Sequence, residues 1–584
     1  MKYISRITLL FLILFFPILF FFSQSSGRSE IKQGIVGSEG TCKGNFILPM
    51  RISPNLSGNF GELRNNHFHS GIDFKTEKRI GIPVYSVCEG WISRIRAGAY
   101  GFGYALYISH PNGFTSVYGH LDRYAFPFDR ICKEMQYETE NFELDTLLMK
   151  GKYPVSKNQL IAYSGNSGSS SAPHLHFEIR NSETEETIDP LNWYSDLIPD
   201  KKQPVIKEIS VYAISGSGVL DGGLKKKSLP ALMNANGTWT LKNNLPDVWG
   251  KIGFGIKAYD LMDNNTNLYG VKKISLYLDD LKIYSHEVNI FAFDQTRYVN
   301  SVIDYEAWKK SRSFVMKSFI EPGNKMSFYE KYPFNGYVDI NEERIYKFRY
   351  VLNDNAGNTS EISFAVKGKK MGLSEKEIKG FEMSVWKPNQ FNSNNFELIV
   401  PIGNLYYDLD FRFSEESSPY YSNVFRLHDE YVPLHQNVKA RFRLNIDSLT
   451  QKKSYYLAKK SNSGVYQYVG GKYDRGWIRA DIREFGTYTV KADMVSPKIT
   501  PLNLESSTKN RLFRIRITDD ASGIKYWRGT IDGKWALFSY NIKAARLEYS
   551  FDDTRLQKNS DHLLQLIVVD ACGNKSDFEF KFHY

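Results

Sequence analysis

Polar and apolar residues alternate with a period of two through most of this chain. Leu106-Tyr-Ile-Ser-His110 and Leu175-His-Phe-Glu-Ile179 mix aromatic and β-branched residues with polar ones, and Gly and Pro bound them. That is the pattern of half-buried strands, whose side chains point alternately to two faces. After Trp193 the same texture continues as short runs between Asn, Asp and Gly turns. Phe396-Glu-Leu-Ile-Val400, Leu405-Tyr-Tyr-Asp-Leu-Asp-Phe411 and Gly486-Thr-Tyr-Thr-Val490 are examples. The pattern predicts a mainly β chain, and 584 residues are enough for several domains.

The distal half contains a repeat. One copy opens at Gln203-Pro-Val-Ile206, passes Tyr259-Asp260 and Gly270–Ile274, and closes at Asp354-Asn-Ala-Gly-Asn358-Thr-Ser360. The other opens at Ser496-Pro-Lys-Ile499, passes Asp519–Ile524, and closes at Asp570-Ala-Cys-Gly-Asn574-Lys-Ser576. Asp, Asn and Gly at the closing points suit tight turns that accept positive φ. The copies resemble bacterial Ig-like β-sandwich modules, the first enlarged by insertions near Ala292–Lys325. The expected organisation is an export signal over 1–25, a first domain over 26–198, and a β-sandwich with insertions over 199–370. A linker or short helix over 371–383 follows, with Ser374–Ile378 as its candidate helix, then an all-β domain of unknown role over 384–494 and a second Ig-like sandwich over 495–584.

The export reading rests on Lys2 and Arg6 ahead of an apolar run, Ile7–Phe22, with small residues at Ser23-Gln-Ser25. About 16 apolar residues with Pro17 among them are short for a span, which needs about 20. The chain is therefore expected in the periplasm, envelope or medium, with membrane contact only if the segment stays uncleaved. No Cys follows the run to carry a lipid anchor. The net charge of +11 favours an anionic envelope, and no basic stripe suggests nucleic acid. Four cysteines, Cys42, Cys88, Cys132 and Cys572, show neither zinc-knuckle nor redox spacing. Export permits a disulfide, and buried thiols are an equal reading.

Candidate chemistry is concentrated in about 110 residues. His69-Ser-Gly-Ile-Asp73, Tyr118-Gly-His120-Leu121 and His174-Leu-His176-Phe-Glu178 follow in order, and the Gly/Ser run Ser164–Pro173 leads into the last pair. In extended backbone His69 and Asp73 point one way, as do His174 and His176. Two imidazoles and a carboxylate suffice for a catalytic zinc, which keeps a further position for water and polarises a scissile carbonyl. Two more imidazoles remain to handle protons. Elsewhere His110 reads as a surface residue beside the turn Pro111-Asn-Gly113, and His428 and His435 as loop residues. His67 reads as a substrate contact or a solvated histidine. Tyr100, Tyr104 and Tyr118 are possible groove residues, or ordinary core and surface ones.

In this order the three clusters closely resemble the M23 (LytM/lysostaphin-type) zinc metallopeptidases, over roughly residues 45–195. Phe60-Gly-Glu-Leu-Arg64, Val84–Trp91 and Phe177-Glu-Ile-Arg180 extend the likeness. The resemblance implies a small antiparallel β fold around a groove. It implies one zinc held by His69, Asp73 and His176, with His120 and His174 as the catalytic histidines, and hydrolysis of peptide cross-links in peptidoglycan. Departures spare the presumed ligands. Ala172-Pro173 stands where Gly-Pro is usual, Lys157-Asn-Gln159 where a Gly turn is, and Phe126–Val155 is longer and more charged. The other reading is a non-catalytic wall-binding or hydrolase-regulating scaffold, since about two thirds of the chain is sandwich-like. In either, the β tail is free to meet envelope proteins.

Overall fold

The computed structural model describes residues 46–373 and 378–584. The expected export segment, Cys42 and Ser374–Glu377 lie outside the described residues, and the chain on either side of that last gap carries no regular element until a strand at Phe381–Met383. Among the described residues no helix is long and apolar enough to cross a membrane. The chain is mainly β, with a first sheet domain followed by packed pairs of sheets.

The first domain contains β1 (Leu56–Gly58), β2 (Ile72–Lys75), β3 (Gly90–Ala97), β4 (Tyr104–Ser109), β5 (Phe114–Tyr124), helix α1 (Phe128–Glu138), β6 (Leu160–Ser164), β7 (His174–Asn181) and β8 (Thr187–Ile188). The sheet runs β1-β2-β7-β5-β4-β3, every neighbour antiparallel, and β6 pairs with β5. Cross-strand partners share a face. Leu175 faces Phe74, and Phe177 lies between Ile72 and Tyr118. All five are buried in one apolar cluster. Complete burial of each such side chain is worth about 1.5–3 kcal/mol, so this face fixes the register of β7. The opposite face then receives Asp73, Gly119, His174 and His176. Tyr118 is thus a core residue, Tyr100 is exposed, and Tyr104 packs its ring against Tyr124 and Phe142.

His110 differs from the expected surface residue. It is 2% exposed. Its Nδ1–H donates to the Glu89 carbonyl and its Nε2 meets the Ser116 hydroxyl, each at 2.8 Å. Alternation hides this because a turn histidine is placed by the loop's path, not by strand parity. Burial pushes its pKa down from 6.5 to about 4. With the folded value below the unfolded one, its contribution to stability is present above pH 6.5 and is lost as pH falls toward 4. His110→Gln should therefore lower the unfolding midpoint at pH 7 and lose less of it than the parent chain between pH 7 and 5, measured by scanning calorimetry.

The next unit, built on strands such as Val205–Leu220, Val248–Tyr259, Ile345–Asn353 and Thr359–Lys367, is a sandwich with its own core. Its insertion joins the first domain. Ile290–Phe291 pairs with β8, and Phe291 packs between Phe60 and Phe68 with ring centroids 4.9 and 5.8 Å away. The helices Val299–Val302 and Tyr305–Ser311 bury Val299, Val302, Tyr305 and Trp308 in the first domain's core. Asp304 caps the second helix, accepting the Ala307 N–H at 3.0 Å. The first domain is therefore not an independent core.

Two five-stranded sheets make the third unit and two four-stranded sheets the last. His435 lies in the strand Pro433–Arg443, buried and stacked on Tyr298 at 4.1 Å, rather than in a loop; His428 does occupy a turn, at φ 47°. The last unit returns to the first. Lys133 pairs with Asp552 at 2.7 Å, Glu140 with Arg528 at 2.5 Å, and Tyr137 packs on Trp535 at 5.0 Å. The long insert Phe126–Val155 is thus a docking surface for the C-terminal sandwich. Cys88 is disulfide-bonded, while Cys132 and Cys572 are free and buried.

Candidate active site

The structure brings His69, Asp73, His120, His174 and His176 together. Asp73 and His176 are cross-strand partners on the face of the β2–β7 pair opposite the apolar core, and His174 lies two residues earlier on that face. His69 arrives differently from the expectation. β2 begins only at Ile72, so strand parity does not relate His69 to Asp73. A turn through Ser70-Gly71 presents it, and its backbone is held by reciprocal bonds in which His69 N–H donates to Glu62 and Gly61 N–H donates to His69, both at 2.9 Å.

His120 also reaches the groove by an irregularity. With period two it would follow Tyr118 into the core. Between the pairs Tyr104↔Leu121 and Leu106↔Tyr118, however, β5 has one extra residue, and His120 takes φ 57°. This bulge re-aims the side chain. Its ring centroid lies 4.8 Å from that of His174 and 5.9 Å from that of His176. Gly119, opposite His176, is needed beside it, since a Cβ there would meet Phe102 at 3.3 Å and His176 at 3.4 Å.

The hydrogen bonds fix the tautomers. His69 Nδ1 donates to the Asn59 carbonyl at 2.7 Å, leaving a lone pair on Nε2. His176 Nε2 donates to Glu178 Oε1 at 2.9 Å, leaving one on Nδ1. Those two nitrogens are 3.1 Å apart, and Asp73 Oδ1 lies 3.0 Å from the first and 2.9 Å from the second. Three potential ligand atoms of buried residues thus converge. That donor set fits a divalent metal, and the outward bonds from each ring to a carbonyl or carboxylate are the usual support for ligating histidines. Glu178 is itself held by Ser70 and by Arg180 at 2.6 Å. Arg64 binds the other Asp73 oxygen at 2.7 Å.

With these groups alone, burial opposes charge on His176, but hydrogen bonds to Asp73 and Glu178 outweigh it and lift its pKa to about 9. Burial takes His69 down to about 4 despite Asp73. One proton thus stands in for a cation on the pair, which a metal would displace. His120 is held neutral, near 3, by burial and by the nearby His176 and His174. His120 Nδ1 donates to the Ser167 carbonyl and His174 Nδ1 to the Ala172 carbonyl, each at 2.9 Å. Nε2 is therefore the working nitrogen of both, and that of His174 lies 3.4 Å from Asp73 Oδ1.

His67 stays outside this group, exposed, with Nδ1 on the Asn65 carbonyl at 2.9 Å. Sequence reasoning missed Asn59, Ser167 and Phe102, the last stacked on His176 at 5.1 Å. Two act through backbone carbonyls, which no side-chain pattern reveals.

Residues 67–129 and 128–190 match peptidase family M23, and residues 382–493 match a Zu5-like domain. Among curated proteins, the chain is 32% identical over 111 residues to the peptidoglycan DD-endopeptidase ShyB of Vibrio cholerae, covering 19% of this chain and 20% of that protein. It is 27% identical over 144 residues to the DD-carboxypeptidase/endopeptidase Mpg of Neisseria meningitidis, covering 24% and 27%. An uncharacterized metalloprotease of Haemophilus influenzae is 27% identical over 160 residues, covering 26% and 28%. The chain thus spans between a fifth and under a third of these relatives' lengths. A zinc-containing peptidase from Vibrio cholerae is a solved structure with 28% identity and a TM-score of 0.19, covering 25% of this chain and 39% of that one. The stretch that holds these five residues, 67–190, is thus the part of the chain that matches peptidase family M23.

Proposed function

We propose that the M23 domain hydrolyses peptide cross-links of peptidoglycan outside the cytoplasm, with zinc held by His69, Asp73 and His176. The observation that carries this is the convergence of three buried lone-pair donors beside two imidazoles whose Nε2 atoms have no hydrogen-bonded proton. Zinc bound there would acidify a water and polarise the scissile carbonyl. His120 and His174 handle the protons. Because each Nδ1–H is committed to a backbone carbonyl, a proton taken from the attacking water goes to Nε2. The resulting imidazolium then donates from that atom, to the tetrahedral oxyanion or to the departing amine. Arg64 and Glu178 hold Asp73 and His176 in place, and envelope proteins are candidate partners for the β tail.

Docking beside the groove favours a second reading, a wall-binding or regulatory scaffold. Lys543 of the last sandwich donates to the Asn166 carbonyl and, at 2.9 Å, to Asn166 Oδ1, at the start of the Gly/Ser run. One experiment separates the two. The full exported chain is assayed for zinc and incubated with purified peptidoglycan, with and without chelator. About one zinc per chain and chelator-sensitive release of cross-linked peptides is the expected result. Zinc without release would favour the scaffold, and no zinc after reconstitution would overturn the metal site.

A further inference from the structure

Each Ig-like sandwich closes over three aspartates drawn from distant points of the chain. In the first they are Asp200, Asp260 and Asp354, and in the last Asp493, Asp519 and Asp570, each set with carboxylate oxygens within 4.8 Å of one another. The sets are equivalent by position. Asp200 and Asp493 each lie four residues before a proline, Pro204 and Pro497. Val205 pairs with Tyr259 and Lys498 with Thr518, so Asp260 and Asp519 each follow the partner of the residue after that proline. Asn358 Nδ2 donates to the Asp200 carbonyl and Asn574 Nδ2 to that of Asp493, both at 3.2 Å.

Turn geometry accounts for only part of the first set. Asp354 accepts the Asn358 backbone and side-chain N–H groups at 2.8 and 2.6 Å, and Asp200 accepts the N–H groups of Lys202 and Asp263 at 3.0 and 3.2 Å. Asp260 is 2% exposed, and its Oδ1 is buried with no hydrogen-bond partner. Burial and the like charges of Asp354 and Asp200 push its carboxyl up to about 8. A buried, unpartnered carboxylate oxygen facing two more carboxylates is costly unless a cation joins them.

We propose that Asp200, Asp260 and Asp354 bind Ca²⁺. The ligands are all oxygen, with neither imidazole nor thiolate, which selects a hard cation. Three protein carboxylates from separate segments suit Ca²⁺, whereas Mg²⁺ usually keeps several waters and takes only one or two carboxylates. Asp200 belongs to the segment that leaves the peptidase domain, so the ion would pin that segment to the sandwich and stiffen the joint behind the groove. The last sandwich repeats the carboxylates at its own joint with the third unit.

The test uses the full chain, passed over chelating resin to remove calcium and reloaded with zinc. CaCl₂ is titrated calorimetrically and unfolding is followed by scanning calorimetry. For the parent chain, 1 mM CaCl₂ should raise an unfolding midpoint by about 3–8 °C, the shift expected at roughly ten to a hundred times Kd. Asp260→Asn should bind one fewer Ca²⁺ per chain and show a smaller shift. Its calcium-free midpoint should stay close to the parent's, because burial and the two neighbouring carboxylates already favour a neutral Asp260 and Oδ1 has no hydrogen bond to lose. Asp200→Asn, at the more exposed end, should also bind one fewer. Zinc content should not change in either variant, which keeps this result separate from the peptidase reading. A parent chain that neither binds nor responds to Ca²⁺, or variants that bind as many ions as the parent, would overturn the proposal.

Discussion

Asp73→Ala is expected to leave the chain without stoichiometric zinc and without measurable hydrolysis. Asp73 Oδ1 sits about equally far from the two nitrogens that face each other, 3.0 Å from His69 and 2.9 Å from His176, while Oδ2 binds Arg64. Removing the carboxylate removes the one negative charge among the three donors and leaves the Arg64 guanidinium beside two imidazoles. That field repels a cation, so the loss should exceed that of a single ligand bond. Asp73→Asn keeps the shape and one carbonyl oxygen but not the charge, and should retain zinc more weakly than the parent. Zinc per chain after dialysis and the rate of peptide release check both. One zinc at the parent's rate in Asp73→Ala would show that the three residues are not the metal site.

The chemistry was legible in the sequence because each cluster compresses its residues into a few positions. His174-Leu-His176-Phe-Glu178 fixes two groove imidazoles and the carboxylate that orients one of them by strand parity alone. The strands themselves were legible wherever one face is buried, as in Asp561–Asp570, where alternate residues are buried. What was hidden depended on departures from that parity or on distance along the chain. His69 is presented by a turn, and His120 by a bulge that reverses its direction. The insertion near Ala292–Lys325 looked like an elaboration of a sandwich, yet it completes the peptidase core, because apolar side chains in short helices carry no address for the core they will join. Of the acidic triads, only Asp354 and Asp570 stand out in the sequence, as turn residues. Their third members, Asp200 and Asp493, lie outside any strand pattern and meet the others only after folding.

His120→Ala should retain about one zinc per chain while lowering kcat by about 10²–10⁴, the usual value of a positioned general base or oxyanion donor. The separation follows from the geometry. His120 hydrogen-bonds to the Ser167 carbonyl, and its ring lies against His174 and His176 without belonging to the three converging donors. Alanine at a backbone position with φ 57° adds some strain, so His120→Asn, which tolerates that conformation better, is the companion variant. Both should keep KM for a soluble cross-linked peptide within a few-fold, since the lost interaction is made in the transition state. His174→Ala should behave similarly, and the double variant should cost less than the product of the two, because the imidazoles share one proton-transfer path. A His120→Ala chain that cleaves at the parent's rate would remove His120 from the chemistry. Loss of zinc in that variant would instead make it a structural support of the ligands.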